Sequence, residues 1–155
     1  MGKVRSFAAI LALLVLPTAV HAEAKTGQAA PAFEVKDASG KTRKLSDLGG
    51  RWTVLEWYNK DCPYVKKHYG AGNMQKLQRA YAGKGVTWLT VISSAKGTQG
   101  YLDPAAALKN AKEQNSGATA VLIDADGKMG KAYGAKTTPH MFVINPEGKI
   151  VYAGA

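Results

Sequence analysis

The sequence predicts an α/β fold, a central mixed sheet flanked by helices on both faces. Three observations predict it. Short apolar, β-rich runs alternate with helical stretches from residue 52 to residue 144, the pattern of strand–helix–strand units. The last two runs are joined by the turn Asn145-Pro146-Glu147-Gly148, so they form a hairpin and bring antiparallel strands into the sheet. The chain has 155 residues, 46% of them hydrophobic and 21% charged, enough for one domain with a real core and too few for two ordinary ones.

Residues 1–22 read as a secretory signal rather than as structure. Lys3 and Arg5 make a positive start, and residues 7–16 are an apolar run. Pro17 and Thr18 break it, and Val20-His21-Ala22 offers small residues at a cleavage site. A spanning helix takes about 20 apolar residues, so this run is too short for a permanent anchor. The expectation is export to the periplasm or the extracellular space, cleavage after Ala22, and one domain over 23–155 with no membrane span. Residues 23–31 are small and polar and read as a flexible lead-in.

Phe33 and Val35 alternate with polar neighbours before the turn Asp37-Ala38-Ser39-Gly40. Residues 52–58 (WTVLEWY) predict a buried strand. Pro63 suits the first turn of a helix over 63–82, where a missing N–H is harmless, and Gly70 and Gly72 predict a break within it. Residues 86–92 (VTWLTVI) predict a second buried strand, followed by a Gly/Ser-rich loop. Asp103 caps a helix over 104–115 that has Pro104 at its first position. Strands at 119–123, 140–144 and 149–153, with a short helix at 128–133, complete the reading. The chain stops directly after the hairpin, where such a sheet ordinarily carries one more helix. Either the chain continues past Ala155 or that face is covered otherwise.

The formal net charge is +10, but the lysines are spread along the chain and no five like charges run together. No nucleic-acid motif is present, so a solvated basic surface is expected and no nucleic-acid partner. Cys62 is the one cysteine. It excludes an internal disulfide and any multi-cysteine zinc or iron–sulfur site, and no cofactor or resident metal is expected.

Four pieces of sequence carry a resemblance. The first is Gly27-Gln28-Ala29-Ala30-Pro31-Ala32-Phe33 with Asp37-Ala38-Ser39-Gly40-Lys41 and Leu45-Ser46-Asp47-Leu48. The second is WTVLEWY running into Asp61-Cys62-Pro63. The third is Leu122-Ile123-Asp124-Ala125-Asp126-Gly127-Lys128 leading into Ala132-Tyr133-Gly134. The fourth is Thr138-Pro139-His140-Met141-Phe142-Val143-Ile144. In this order the chain resembles the thioredoxin-like superfamily, in its exported redoxin branch of peroxiredoxin-like, thiol-specific antioxidant and cytochrome-maturation-like proteins. The resemblance covers about residues 27–154. It implies a thioredoxin-like fold with an N-terminal β-hairpin extension, and a cis Pro139 facing Cys62. It departs from the family where function is concerned. Thioredoxins carry a second cysteine three residues after the first; here that position is Val65. Peroxiredoxins place Thr or Ser three residues before the cysteine and Pro four before that; here Asn59 and Leu55 stand there.

Cys62 is placed at a strand-to-helix junction, where free N–H groups and the helix dipole favour a thiolate. Lys66, on the same helical face, adds positive field with Lys60 and Lys67, and Asp61 opposes it. The plainer reading is a small buried core residue. His68 falls far round the helix from Cys62 and reads as a surface histidine. His140 follows Pro139 and either supports the thiol, joins it on copper, or simply packs in its strand. Thr138 and Pro139 offer backbone to an extended partner by strand addition, or else form only a turn. Trp57 and Tyr64, with Tyr58, flank the site as an apolar rim, though Trp57 equally reads as core. Glu56, in a buried strand on the face opposite Leu55 and Trp57, is a candidate proton relay.

The leading expectation is an exported monothiol redoxin, a thiol-based oxidoreductase or antioxidant. Its Cys62 reacts with a disulfide, a small thiol or a hydroperoxide and is resolved by an external thiol. Its partners are then protein or small-molecule thiols and disulfides. The alternatives are a redox-inactive partner-binding module and a copper-handling protein using Cys62 and His140.

Overall fold

The structure, a computed structural model, describes residues 24–155; the signal and cleavage expectation for 1–22 lies outside the described residues. A five-stranded sheet in the order β5-β4-β3-β6-β7 carries the fold. Its strands are β3 (Thr53–Trp57), β4 (Thr87–Ile92), β5 (Ala120–Ile123), β6 (His140–Ile144) and β7 (Ile150–Gly154). The β3–β4 and β4–β5 pairs are parallel, whereas β3–β6 and β6–β7 are antiparallel, so the sheet is mixed as expected. Strands β3 and β4 are buried along their whole length. A central strand covered on both faces reads as an unbroken apolar run, which is why their sequences do.

Side chains alternate between two cores. Leu55, Trp57, Leu89, Val91, Leu122, Phe142 and Ile144 point to one face, under α4 (Lys128–Tyr133). Val54, Tyr58, Trp88, Ile92 and Val121 point to the other. There they meet Val65 and Tyr69 of α1 (Pro63–Gly70), Met74 of α2 (Asn73–Ala82) and Ala107 of α3 (Pro104–Glu113). The expected break falls at Gly72, whose φ of 72° is left-handed and which separates α1 from α2. Asp103 caps α3 as expected, its side chain accepting from the Ala106 N–H at 2.8 Å, with Pro104 inside the first turn.

A separate hairpin of β1 (Glu34–Lys36) and β2 (Thr42–Lys44) precedes the sheet and runs into a 3₁₀ turn at Leu45–Leu48. The segment before it corrects the sequence reading. Residues 23–31 were expected to be flexible, yet the Gly27 N–H donates to Ile150 O at 2.7 Å and the Ile150 N–H to Gln28 O at 2.9 Å. The open backbone groups of β7 hold this stretch, which needs no apolar side chains to be held. Farther on, the Ala38 N–H donates to Val121 O at 2.8 Å, at the opposite edge of the sheet. On the α2 side, Trp52, Leu77, Tyr81 and Tyr152 are left half-exposed around an open groove.

Candidate functional site

Cys62 is the N-cap of α1, with extended backbone (φ −66°, ψ 127°). Its N–H donates to Asn59 O at 3.1 Å, which closes the turn leaving β3, and its carbonyl accepts from Lys66 N at 2.9 Å, which starts the helix. The side chain is half-buried, and its thiol donates to the Thr138 carbonyl at 2.9 Å. The Thr138–Pro139 peptide is cis, and this loop lies against the cysteine as the resemblance implied. Burial pushes the Cys62 thiol up. The Thr138 side chain and the N–H groups of Val65 and Tyr64 pull it down, and the balance leaves it below the ordinary thiol value. The carbonyl bond is made only by the protonated thiol, whereas the N–H donors hold the thiolate.

The lysines act elsewhere. Lys60 Nζ grips both oxygens of Asp61 at 2.8 Å, so its charge is spent on the neighbouring acid. Lys66 is exposed and helps to hold the Asp61 carboxyl below its usual range, behind the larger effect of Lys60. The expected positive field on Cys62 is thus replaced by direct hydrogen bonds.

Tyr64 is 67% exposed on the first turn of α1, beside the thiol in sequence and open to solvent. Trp57 is buried: its indole N–H donates to Ser93 Oγ at 3.0 Å and its ring meets Tyr133 and Phe142, so it is core rather than rim. The His140 ring lies 4.7 Å from that of Phe142, and its Nδ1 accepts from the Lys136 N–H at 3.4 Å. Burial, then the nearby Lys136 charge, lowers its pKa. The thiol's side-chain bond goes to Thr138 rather than to this ring. His68 is half-buried on the last turn of α1. Among the described residues no three His, Cys, Asp or Glu side chains come together as a metal site.

Beside Thr138 lies a hollow of about 280 Å³ lined by Asn59, Ser93, Ser94, Lys136 and Thr137, with Trp57 among its walls. Tyr58 and Ala135 complete the lining, so the recess is of mixed polarity, and it reaches the thiol's partner Thr138.

Glu56 is fully buried and accepts three hydrogen bonds: Tyr69 Oη at 2.8 Å, Gln78 Nε2 at 3.1 Å and Trp88 Nε1 at 2.8 Å. These partners come from α1, α2 and β4, and none of them is a cation. Burial pushes its carboxyl up, against the pull of the three donors. The signal for this network was in the sequence: Gln78 lies four residues after Met74, on the apolar side of α2, where a buried amide needs polar partners.

A pH dependence follows. A carboxyl whose folded value exceeds its ordinary 4.5 adds stability that is fully present below that value and is lost as pH rises through the folded one. Replacing Glu56 by Gln removes that loss. The Tm of Glu56→Gln minus that of the wild type is therefore expected to grow as pH rises above 4.5. Thermal melts in a pH series measure it, and a difference independent of pH would show an unshifted carboxyl.

Comparison with known proteins places this geometry in context. Residues 26–153 match the AhpC/TSA family. The thiol-disulfide oxidoreductase ResA of Bacillus subtilis is 29% identical over 126 residues, which cover 81% of this chain and 64% of that protein. The chain thus spans less than two thirds of that relative. Among solved structures, an uncharacterized conserved protein from Geobacillus kaustophilus matches with a TM-score of 0.76 at 26% identity, over 84% of this chain and 69% of its own. The exposed lipoprotein thioredoxin Etrx1 of Streptococcus pneumoniae matches with a TM-score of 0.62 at 27% identity, over 79% of this chain and 87% of its own. The fold is thioredoxin-like, with the N-terminal hairpin that the sequence implied.

Proposed function

The chain belongs to the AhpC/TSA family, and we propose that it works there as an exported monothiol oxidoreductase with Cys62 as nucleophile. The observation that carries this is the thiol itself. It is half-buried at the N-cap of α1, with its sulfur on Thr138, and it ionises below the ordinary thiol value. A thiolate at a helix start is the attacking form in disulfide exchange.

The Cys62 thiolate attacks one sulfur of a disulfide R–S–S–R′. The S–S bond breaks, a Cys62–S–S–R bond forms, and R′–S⁻ leaves and takes up a proton. Residue 65 is Val, so no second thiol follows on the helix. An external thiol R″–SH then gives up its proton and attacks the R sulfur, which releases R–S–S–R″ and regenerates the Cys62 thiolate. Thr138 shields the resting thiol, and the N–H groups of Tyr64 and Val65 hold the sulfur when it is charged.

A disulfide is favoured over a hydroperoxide by Asn59. It stands where peroxidases of this family carry Thr or Ser, and its side chain is spent on Gln99 O at 3.3 Å and the Asp61 N–H at 2.8 Å. The hollow beside Thr138 gives room for the flanking groups of a protein or small-molecule disulfide. Export rests on the signal pattern of residues 1–22.

The test is the pH dependence of Cys62 alkylation in the folded protein, followed by intact mass after incubation with oxidised glutathione. The expected midpoint lies below ~8.5, the free-cysteine value, with one glutathione added per chain. A midpoint at or above that value, with no adduct until the protein is unfolded, would make Cys62 a packing residue and the fold a binding module.

A further inference from the structure

We propose that Gly100 is a positioning residue for Cys62, acting through Asn59 and Asp61 as a latch between the loop after β4 and the turn before α1. The inference rests on the reading of Cys62 as the nucleophile. Two hydrogen bonds join the loop to the turn: Asn59 Nδ2 donates to Gln99 O at 3.3 Å, and the Gly100 N–H donates to Asp61 Oδ2 at 3.1 Å. Two more tie the turn to itself: the Asp61 N–H donates to Asn59 Oδ1 at 2.8 Å, and the Cys62 N–H to Asn59 O at 3.1 Å. Asn59 is thus bound on one side to the loop and on the other to the two residues that end at the cysteine.

Gly100 is the point of closest approach. It is buried, its φ is +81°, and a Cβ built on it would fall inside the Asn59 side chain. The loop is itself a fixed body, with Thr98 N and Oγ1 both donating to Ala95 O and the Tyr101 N–H donating to Thr98 O. Behind it Leu102 is buried in the core. Displacing Asn59 therefore moves the turn rather than the loop. The turn sets where the cysteine sulfur meets the N–H groups of Tyr64 and Val65. The charged groups at the turn are the Lys60–Asp61 pair and Lys66, and the latch holds that pair in place as well.

A double-mutant cycle of Gly100→Ala and Asn59→Ala tests this, read by the alkylation midpoint of Cys62 and by Tm. A side chain at φ +81° costs stability in either background, so Tm should fall in both. The alkylation midpoint should rise by about one pH unit, tenfold in thiolate, only where Asn59 is present. In the Asn59→Ala background, where the three atoms nearest that Cβ are gone, Gly100→Ala should add no shift. A Gly100→Ala protein with lowered Tm and an unchanged midpoint overturns the latch, as does an equal midpoint shift in both backgrounds. Either result leaves the function of Cys62 standing; a wild-type midpoint at the ordinary thiol value removes both.

Discussion

Replacing Val65 by cysteine is expected to convert the protein from a monothiol into a dithiol. Residue 65 follows Cys62 by three positions on α1, and its N–H already points at the Cys62 sulfur. Val65 is buried with 2% exposure, so the new thiol is shielded from the solvent and presented to its neighbour. After oxidation the Val65→Cys protein should be lighter than its reduced form by two hydrogens. The one-glutathione adduct expected of the wild type should fall by ~tenfold or more, because an intramolecular thiol competes at an effective concentration of mM or above. The substitution is close to isosteric and should cost less than about 1.5 kcal/mol of stability. Intact mass before and after oxidised glutathione measures the outcome. A persistent adduct with no internal disulfide would show that the two sulfurs do not meet.

The largest loss of stability is expected from Phe142→Ala. Phe142 is 1% exposed in the middle of β6, with ring centroids 5.3 Å from both Trp57 and Tyr133 in edge-on contact. The His140 ring also packs on it, 4.7 Å between centroids. Removing an aromatic ring from a filled core costs about 3–5 kcal/mol, since the lost burial and the cavity add. Urea unfolding measures it against Val151→Ala on the neighbouring strand, a 43% exposed position where the change should stay within about 0.5 kcal/mol. Equal midpoints for the two variants would mean that the aromatic cluster is not the keystone of this face.

Much of this was legible in the residues. The unbroken apolar runs marked β3 and β4, Asp103-Pro104 marked the start of α3, and paired glycines marked the gap between α1 and α2. Cys62 and Thr138-Pro139 were legible as a pair only through the order of motifs, because a separation of 76 positions carries no local signal of contact. The lysines around Cys62 misled for an electrostatic reason. Asp61 was read as opposing their field, but not as holding Lys60 directly, which only the fold of the turn decides. Asn59 and Gly100 were illegible for a steric one. Their meeting depends on two loops approaching to the distance at which a single methyl group fails to fit, and no composition or spacing encodes that.

The stretch from Gly27 to Ala38 bonds to Ile150 at one margin of the sheet and to Val121 at the other, and buries Phe33 between them. It is a strap with a buckle at each end. Unoccupied strand margins are templates on which a second molecule can lay its own backbone. Here each margin is met at one place by the chain's own backbone, at Ile150 and at Val121, which leaves less of it open for a fibre or a sheet-to-sheet dimer to grow on. Twelve unremarkable residues, 27–38, thereby act against aggregation, a duty separate from anything done by the sulfur.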